Sequence, residues 1–303
     1  MRYFLFSVIL IISQATLGQT SKHIAVPGTQ YSIVPPRGFT VATNFNGLQD
    51  IKTGASIMIT EMPAPYQELV NGFTADALKT RGMTLISKQE IDFNNSKASL
   101  LAITQPANGM IYEKQLLIFG DVNKTILVNG IYPQTSKGME AEMKEALLTT
   151  IYNVEQNDDP MSSVPFIINV EGTPFKFANN MAGSLLYTTT GTVPSNGPIL
   201  VAGSSLGAVN AQNRKQYAEE RFRKLPDGQS AIIKSTTEVV IDSMQGYEIV
   251  AEGKDHQGRK QLIYQVMLFN DRGDYFMILG QSSDDIENYL NIYKKIAQTF
   301  ELK

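Results

Sequence analysis

The sequence predicts an α+β fold made of two tandem units, each an antiparallel sheet flanked by helices. Three observations support this. The same order of strands and helices occurs twice along the chain, short polar turns join consecutive strand candidates, and a polar, acidic segment separates the two copies. Short turns between consecutive strands imply antiparallel pairing, and helices that interrupt or follow a run of strands are typical of the α+β class.

The first eighteen residues have the pattern of a secretory signal peptide. Arg2 supplies a positive charge, residues 3–12 are apolar except for Ser7, and residues 13–18 are mostly small or polar. An apolar run of about ten residues is half of what a bilayer-spanning helix needs. We therefore expect cleavage before Gln19 and export of the mature chain, to the periplasm or beyond.

The composition limits the classes of function. The chain has no cysteine, which excludes disulfides, thiolate nucleophiles and cysteine-bound metals. The 26 Lys and Arg side chains nearly balance the 29 Asp and Glu side chains, so we expect no attraction to nucleic acid or anionic lipid. No further stretch has the length and apolar character of a membrane span, so we expect no stable membrane insertion.

The first unit is predicted at residues 27–152. A short strand at 29–34 and a second strand at 55–62 precede a helix at 65–81, whose apolar residues recur on one face. A helix at 138–152 closes the unit. Between the two helices lie four strand candidates, at 83–93, 98–104, 111–119 and 125–132.

The second unit, at residues 164–303, repeats this order after a predicted linker at 153–163. Strands at 166–170 and 199–202 precede a helix at 209–225, and a final helix starts at Ser282 with Asp285 in a capping box. Between these helices we predict strands at 231–241, 247–252, 261–269 and 275–279.

This order of elements resembles the PsbP-like fold, which is shared by the PsbP extrinsic subunit of photosystem II, a Ran-binding import factor and many small exported bacterial proteins. The resemblance rests on residues 31–39 (YSIVPPRGF), the amphipathic helix after them, the run of strands, and the terminal helix ending at 297–300 (AQTF). The second unit departs from it at 172–175 (GTPF), a shorter turn. The resemblance implies an α/β/α sandwich in each unit and a non-catalytic role as an assembly factor, extrinsic subunit or binding protein.

Residues 203–207 (GSSLG) are the sharpest candidate for catalysis. They fit the G-x-S-x-G pattern of a nucleophile elbow between a strand and a helix. Ser205 would be the nucleophile and His256 its base, with Asp227 or Asp242 between them in the chain. No glycine-rich oxyanion segment precedes them, and His256 lies in an exposed turn pattern, so a serine hydrolase is the weaker alternative.

A basic helix is the candidate binding surface. Its functional interpretation is a face that binds a partner or an anion, and its structural interpretation is a solvated helix surface. The basic residues are Arg214, Lys215, Arg221, Arg223 and Lys224. His23 and His256 have no neighbours at metal-ligand spacing and the GSSLG segment lacks the lysine of a phosphate loop, so no metal or cofactor is predicted.

Three functions follow from the sequence. The first is an exported, non-catalytic protein that binds an unidentified protein partner or assists an envelope assembly. The second is a serine hydrolase that uses Ser205 and His256. The third is a module that binds a small ligand in a cleft between the two units, because clefts between domains commonly hold ligands.

Overall fold

A computed structural model describes residues 22–107, 109–156, 159–162, 164–181, 183–209 and 211–303. The predicted signal peptide at 1–18 lies outside the described residues. Two seven-stranded antiparallel sheets form the bodies of two successive units, which confirms the predicted α+β class and the tandem arrangement. No helix within the described residues combines the length and apolar composition that crossing a bilayer requires.

The first unit has one large sheet in the order β3-β4-β5-β9-β8-β7-β6 and a small sheet in the order β1-β2-β10. Its strands are β1 (Ile24–Ala25), β2 (Tyr31–Ile33), β3 (Thr40–Val41), β4 (Gly47–Asp50), β5 (Ala55–Met62), β6 (Thr84–Phe93), β7 (Ser96–Ala107), β8 (Met110–Gly120), β9 (Thr125–Pro133) and β10 (Ile151–Tyr152). Its helices are α1 (Tyr66–Gly72), α2 (Ala75–Lys79) and α3 (Met139–Leu148).

The second unit has its large sheet in the order β12-β13-β14-β18-β17-β16-β15, which matches the first sheet strand for strand. Its strands are β11 (Phe166–Ile167), β12 (Lys176–Met181), β13 (Ser184–Thr188), β14 (Ile199–Ser204), β15 (Ile232–Ile241), β16 (Met244–Lys254), β17 (Lys260–Phe269), β18 (Tyr275–Ser282) and β19 (Glu301–Leu302). Its helices are α4 (Arg214–Arg223) and α5 (Ile286–Ala297).

Helices cover both faces of each sheet, as the sandwich architecture requires. In the first unit, α3 packs on one face and α1 with α2 on the other, and each face has its own cluster of buried side chains. In the second unit, α5 and α4 take the corresponding faces. Each unit therefore has its own hydrophobic core on both sides of its sheet.

The two copies agree even in their tightest turns. The β6–β7 hairpin turns at Asn94 and Asn95, with φ of 46° and 62°, and the β15–β16 hairpin turns at Asp242 and Ser243, with φ of 48° and 62°. Two-residue hairpin loops with positive φ at both positions match the twist of the flanking strands, and Asn and Asp tolerate that conformation best.

Several helix boundaries differ from the prediction for local reasons. The helix predicted at 65–81 is divided into α1 and α2, because the Thr74 side chain accepts a hydrogen bond from the Ala77 N–H at 3.2 Å and caps a new helix. Helix α4 starts later than predicted, since Asn213 caps it. The predicted capping box at Ser282 is wrong, because α5 begins after Asp285, which has φ 35° and makes no side-chain cap.

The two strands at one side of each large sheet, β3 and β4 in the first and β12 and β13 in the second, were not predicted. The helix predicted at 138–152 ends at Leu148, and β10 follows it. β10 pairs with β2 through Ile151 and Tyr152, which returns the end of the first unit to its beginning.

Candidate functional site

Ser205 directly follows β14, an inner strand of the second sheet, and is hydrogen-bonded to the first residue of the neighbouring strand β18. Its N–H donates to the Tyr275 carbonyl at 2.8 Å, and its hydroxyl accepts the Tyr275 N–H at 3.1 Å. The residue is 5% exposed. Helix α4 does not start until Arg214, so the strand–turn–helix of a nucleophile elbow is absent at Ser205 in the described residues.

His256 lies at the far end of the same sheet. It belongs to the turn between β16 and β17 and lines a small cavity together with Ser282 and Ser283. Tyr275 and Ser282 are the first and last residues of the eight-residue strand β18, so about 23 Å separates the two ends. The structure does not bring Ser205 and His256 together, and the hydrolase alternative is therefore without geometric support.

The cavity beside His256, of about 210 Å³, is built around a buried carboxylate. The Asp255 side chain is 6% exposed and contacts Arg259 Nε at 2.8 Å. Burial raises the pKa of Asp255, but hydrogen bonds from the Arg259 N–H, the Ser283 hydroxyl, the Arg259 guanidinium and the Gln257 N–H outweigh it and lower the pKa to about 2. Asp255 therefore stabilises the β16–β17 turn to which it belongs.

Two arginines of the predicted basic surface bind their own unit. The Arg214 guanidinium lies 5.3 Å from the centre of the Phe269 ring and donates to the Asn270 carbonyl at 3.3 Å. The Arg221 guanidinium lies 5.9 Å from the centre of the Tyr275 ring. These cation–π contacts stabilise the packing of α4 against the sheet.

A third arginine is also used internally. Arg223 Nη1 donates to the carbonyls of Gly228 and Ala231, which follow α4 in the chain. Lys215 and Lys224 are exposed. Three of the five basic residues predicted as a binding face therefore contact their own unit and hold α4 in place. Lys215 and Lys224 are the two basic residues for which no such contact is described.

The two units are joined through matching positions. The Asn44 side-chain amide donates to the Ser205 carbonyl at 2.7 Å, and the Ser204 hydroxyl donates to the Asn44 carbonyl at 2.9 Å. On the other side, the Asn179 amide donates to the Glu61 carbonyl at 3.3 Å. Asn44 belongs to the β3–β4 hairpin of the first unit, and Asn179 to the β12–β13 hairpin of the second. The residues they reach, Ser204 on β14 and Glu61 on β5, occupy equivalent positions, so each unit contacts the other through the same hairpin.

The two hairpins also contact each other. The Asn180 amide donates to Asn46 Oδ1 at 3.2 Å. A Cβ atom at Gly183 would lie 2.7 Å from the Cα of Phe45, and the Phe45 ring is buried. Only glycine permits this approach, and the polar and apolar contacts together fix one unit against the other.

A cleft of about 880 Å³ opens beside this junction. Its walls include residues 43–45, 49–51 and 54–56 of the first unit, and residues 204–207, 270–272, Asp274, Leu302 and Lys303 of the second. A cleft between the units is expected from the sequence, but none of these residues was assigned to it, and residues 204–207 were considered only as part of a nucleophile elbow. The signal in the sequence was weak, because they lie in turns that come together only through the junction.

Aliphatic side chains project into solvent around this cleft. Ile51 is 81% exposed, Leu206 57% and Leu302 44%. Asp271 and Arg272 are exposed on the same rim and provide both signs of charge. Apolar residues surrounded by a polar rim are typical of protein–protein contact surfaces. We call this surface, defined by Ile51, Leu206, Leu302, Asp271 and Arg272, the inter-unit groove.

The described residues contain no group of three or more His, Cys, Asp or Glu side chains that could hold a metal ion. Chemistry that depends on such a cluster has no candidate position in this part of the chain.

No protein-family model matches the chain, and no curated protein matches it. Solved structures of similar fold include LpqN of Mycobacterium tuberculosis, involved in cell envelope biogenesis (14% identity, 46% of this chain and 83% of that chain, TM-score 0.37). CyanoP, a cyanobacterial PsbP from Synechocystis sp. PCC 6803, has 10% identity over 46% of this chain and 82% of its own, with a TM-score of 0.30. The immunity protein TplEi of Pseudomonas aeruginosa has 11% identity over 95% and 99%, with a TM-score of 0.29.

Because all three TM-scores lie below 0.5, the function of the chain is inferred from its own residues.

Proposed function

We propose that the chain is an exported, non-catalytic accessory protein that binds a partner protein through the inter-unit groove. The observation that carries this proposal is the exposure of Ile51, Leu206 and Leu302 around one cleft. Leaving three aliphatic side chains in water forgoes the stabilisation that burial gives, about 1.5–3 kcal/mol for each side chain fully removed from water. A partner that covers them recovers part of that free energy.

The groove favours a protein over a small molecule as its occupant. Sites for small ligands usually enclose most of the ligand in a concave pocket. Here the three aliphatic residues stand on the rim, on a turn of the first unit and on two segments of the second. An occupant that contacts all three must span the boundary between the units, which suits an extended or folded protein surface. The small-ligand cleft stays the second candidate.

The junction between the units supports binding by holding the groove in shape. The hydrogen bonds of Asn44 and the close contact of Gly183 with Phe45 fix the two walls before a partner arrives. A preformed surface loses less conformational entropy on association than a flexible one. We expect the same groove geometry in the free and the bound protein.

A charge-introduction experiment tests the proposal. A photo-crosslinking amino acid at position 206 should capture a protein from native envelope extract, and Ile51→Asp should abolish the capture because a carboxylate in the contact must be desolvated. Val240→Asp is the matched control, since Val240 is 66% exposed on β15 and does not line the cleft. Equal capture by wild type, Ile51→Asp and Val240→Asp would contradict binding at the groove.

Export is the second part of the proposal. It is supported by the charged start, the short apolar run and the small residues before Gln19. Mass spectrometry of the protein isolated from the native cell envelope should find Gln19 at the N-terminus. An intact Met1 on protein recovered from the cytoplasm would rule export out.

A further inference from the structure

The two units differ in how many strands pair with β2 in the first unit and with its counterpart β11 in the second. In the first unit, β2 has a strand on both edges, because β1 pairs with one edge and β10 with the other. In the second unit, β11 pairs with β19 and with no other strand of the described residues. β10 and β19 are equivalent, so the described part of the second unit has no counterpart of β1.

Strand register identifies the residues involved. Tyr31 lies opposite Tyr152 on β10, and Phe166 lies opposite Leu302 on β19. Phe166 is therefore the counterpart of Tyr31. By the same register, Ile168 is the counterpart of Ile33.

In the first unit these backbone positions are paired. The Val26 N–H donates to the Tyr31 carbonyl at 2.9 Å, and Ile24 lies opposite Ile33. Val26 is 0% exposed, and Ile24 packs partly buried against the same core. β1 thus supplies both hydrogen bonds along the edge and apolar side chains beneath it.

In the second unit no strand of the described residues pairs with the same edge. The Pro165 carbonyl accepts the Lys303 N–H at 3.0 Å, which points Pro165 and Ile167 toward β19. Alternation along a strand then directs the N–H and C=O of Phe166 and Ile168 to the other edge. No residue in the described part of the chain makes a hydrogen bond to these four groups.

A cleft of about 590 Å³ runs along this edge. One wall is the segment 166–173, and the opposite wall is mainly apolar. The side chains opposite β11 are Met161, Phe175, Phe177, Leu185 and Tyr187. The cleft therefore offers an apolar floor beside unpaired backbone groups, the two features that β1 satisfies in the first unit.

No strand among the residues that the structure describes fills the cleft. Met161 precedes Phe166 by the same five residues that separate Val26 from Tyr31, but residues 159–162 are not extended. Pro160 precedes Met161, and its carbonyl accepts the Asn180 amide at 2.8 Å. The backbone is thereby turned toward β12 and away from β11.

We propose that the open edge of β11 binds an extended segment of a partner protein as an antiparallel strand. The segment would carry aliphatic side chains at alternating positions with a small residue between them, as Ile24, Ala25 and Val26 do in β1. Strand addition gives affinity through main-chain hydrogen bonds and selectivity through alternate side chains. This site adjoins the inter-unit groove, since Lys303 lines both clefts, but the proposal does not depend on binding at the groove.

The burial of this edge explains why pairing with an added strand would be favourable, and the position of Met161 indicates where that strand would enter. Phe166 is 1% and Ile168 9% exposed, and a buried backbone N–H or C=O without a hydrogen-bond partner destabilises the fold. Met161 is only partly buried, with its sulfur 3.9 Å from the Tyr187 hydroxyl. An incoming strand displaces this unbranched, adaptable side chain and takes the place that Val26 has in the first unit.

The test uses the full chain and a capped synthetic peptide with the sequence of residues 22–27 (KHIAVP). We expect the peptide to shift the amide NMR signals of Phe166 and Ile168, and the variant Met161→Ala to bind it several-fold more tightly. Met181→Ala is the control, since Met181 is an exposed methionine on β12. It should leave the affinity unchanged.

Backbone N-methylation separates strand pairing from simple apolar contact. In the β1 register, the N–H of Ile24 faces the neighbouring strand and that of Ala25 faces away. N-methylation at the peptide position of Ile24 should weaken binding about tenfold, and at the position of Ala25 only slightly. Equal effects at the two positions, or no shifts at Phe166 and Ile168 in either wild type or Met161→Ala, would overturn the proposal.

Discussion

Replacing Gly280 by alanine probes how closely the last helix lies on the second sheet. A Cβ atom at Gly280 would lie 2.6 Å from Cδ1 and Cγ of the Tyr293 ring on α5. Ordinary contacts of this kind begin at 3.4 Å, so the ring has to retreat by about 0.8 Å. The first unit contains the matching pair, in which Gly130 on β9 faces Met143 on α3.

The Tyr293 ring has little freedom to retreat. Its hydroxyl donates to the Gln281 carbonyl at 2.7 Å, its face stacks on Tyr264 with centroids 5.9 Å apart, and Phe175 lies 5.7 Å away. Overpacking a core of this kind costs about 1–3 kcal/mol, and the rigid ring puts Gly280→Ala near 3 kcal/mol. Such a loss lowers the unfolding midpoint of a domain of this size by about 10 °C.

Gly130→Ala is the matched control, because a methionine side chain adapts where a ring does not. We expect it to cost about 1 kcal/mol. Urea denaturation followed by circular dichroism measures both, since the chain has no tryptophan to report by fluorescence. A cost for Gly130→Ala equal to or larger than that for Gly280→Ala would refute this reasoning, as would a double variant with Tyr293→Leu whose two costs are simply additive.

Three further predictions concern other parts of the chain. Gly183→Ala should separate the units by forcing its Cβ against Phe45, and small-angle scattering should show a larger radius of gyration with both cores still folded. Thr74→Ala should cost about 1 kcal/mol by removing the cap of α2, measured by urea denaturation. The lowered pKa of Asp255 contributes stability above pH 4 that is lost as the pH falls toward 2, so Asp255→Asn should flatten the stability profile between pH 4 and 2, whereas an unchanged profile would contradict this.

The fold was largely predictable because the chain repeats its pattern. Gly130 and Gly280 each stand shortly before a last helix in the sequence, and the register makes them equivalent, since Gly130 pairs with Gln115 and Gly280 with Tyr264 in equivalent strands. Residues 117–121 (LIFGD) and 267–271 (MLFND) look alike in sequence, but an alignment of these two runs is wrong by one residue. Leu117 lies opposite Val128, while Val266 lies opposite the equivalent Ile278. The turn after β17 has one more residue, so matching runs of letters slipped the alignment.

The candidate sites were far less predictable, since each depends on contacts distant in sequence. Ser205 fits a catalytic pattern, yet its hydroxyl bonds to the backbone of Tyr275, seventy residues away. The basic residues of α4 appeared to form a surface, but Arg214 lies over Phe269 on β17. Periodicity within a helix does not say which long side chains fold back on the sheet, because the ring or carbonyl that receives them comes from another segment.

A comparison of the two copies separates residues that maintain the fold from residues that are free to serve a function. Positions with the same role in both units, such as Gly130 and Gly280 under the last helices, are required by packing. A position where one copy lacks a structural feature of the other is a candidate for a function of its own. The edge of β11 is such a place, because β2 has a strand along both edges, whereas β11 pairs only with β19 in the described residues. The first copy keeps its own strand β1 beside β2. In the second copy, the corresponding position beside β11 is where, in our proposal, a strand of the partner protein binds.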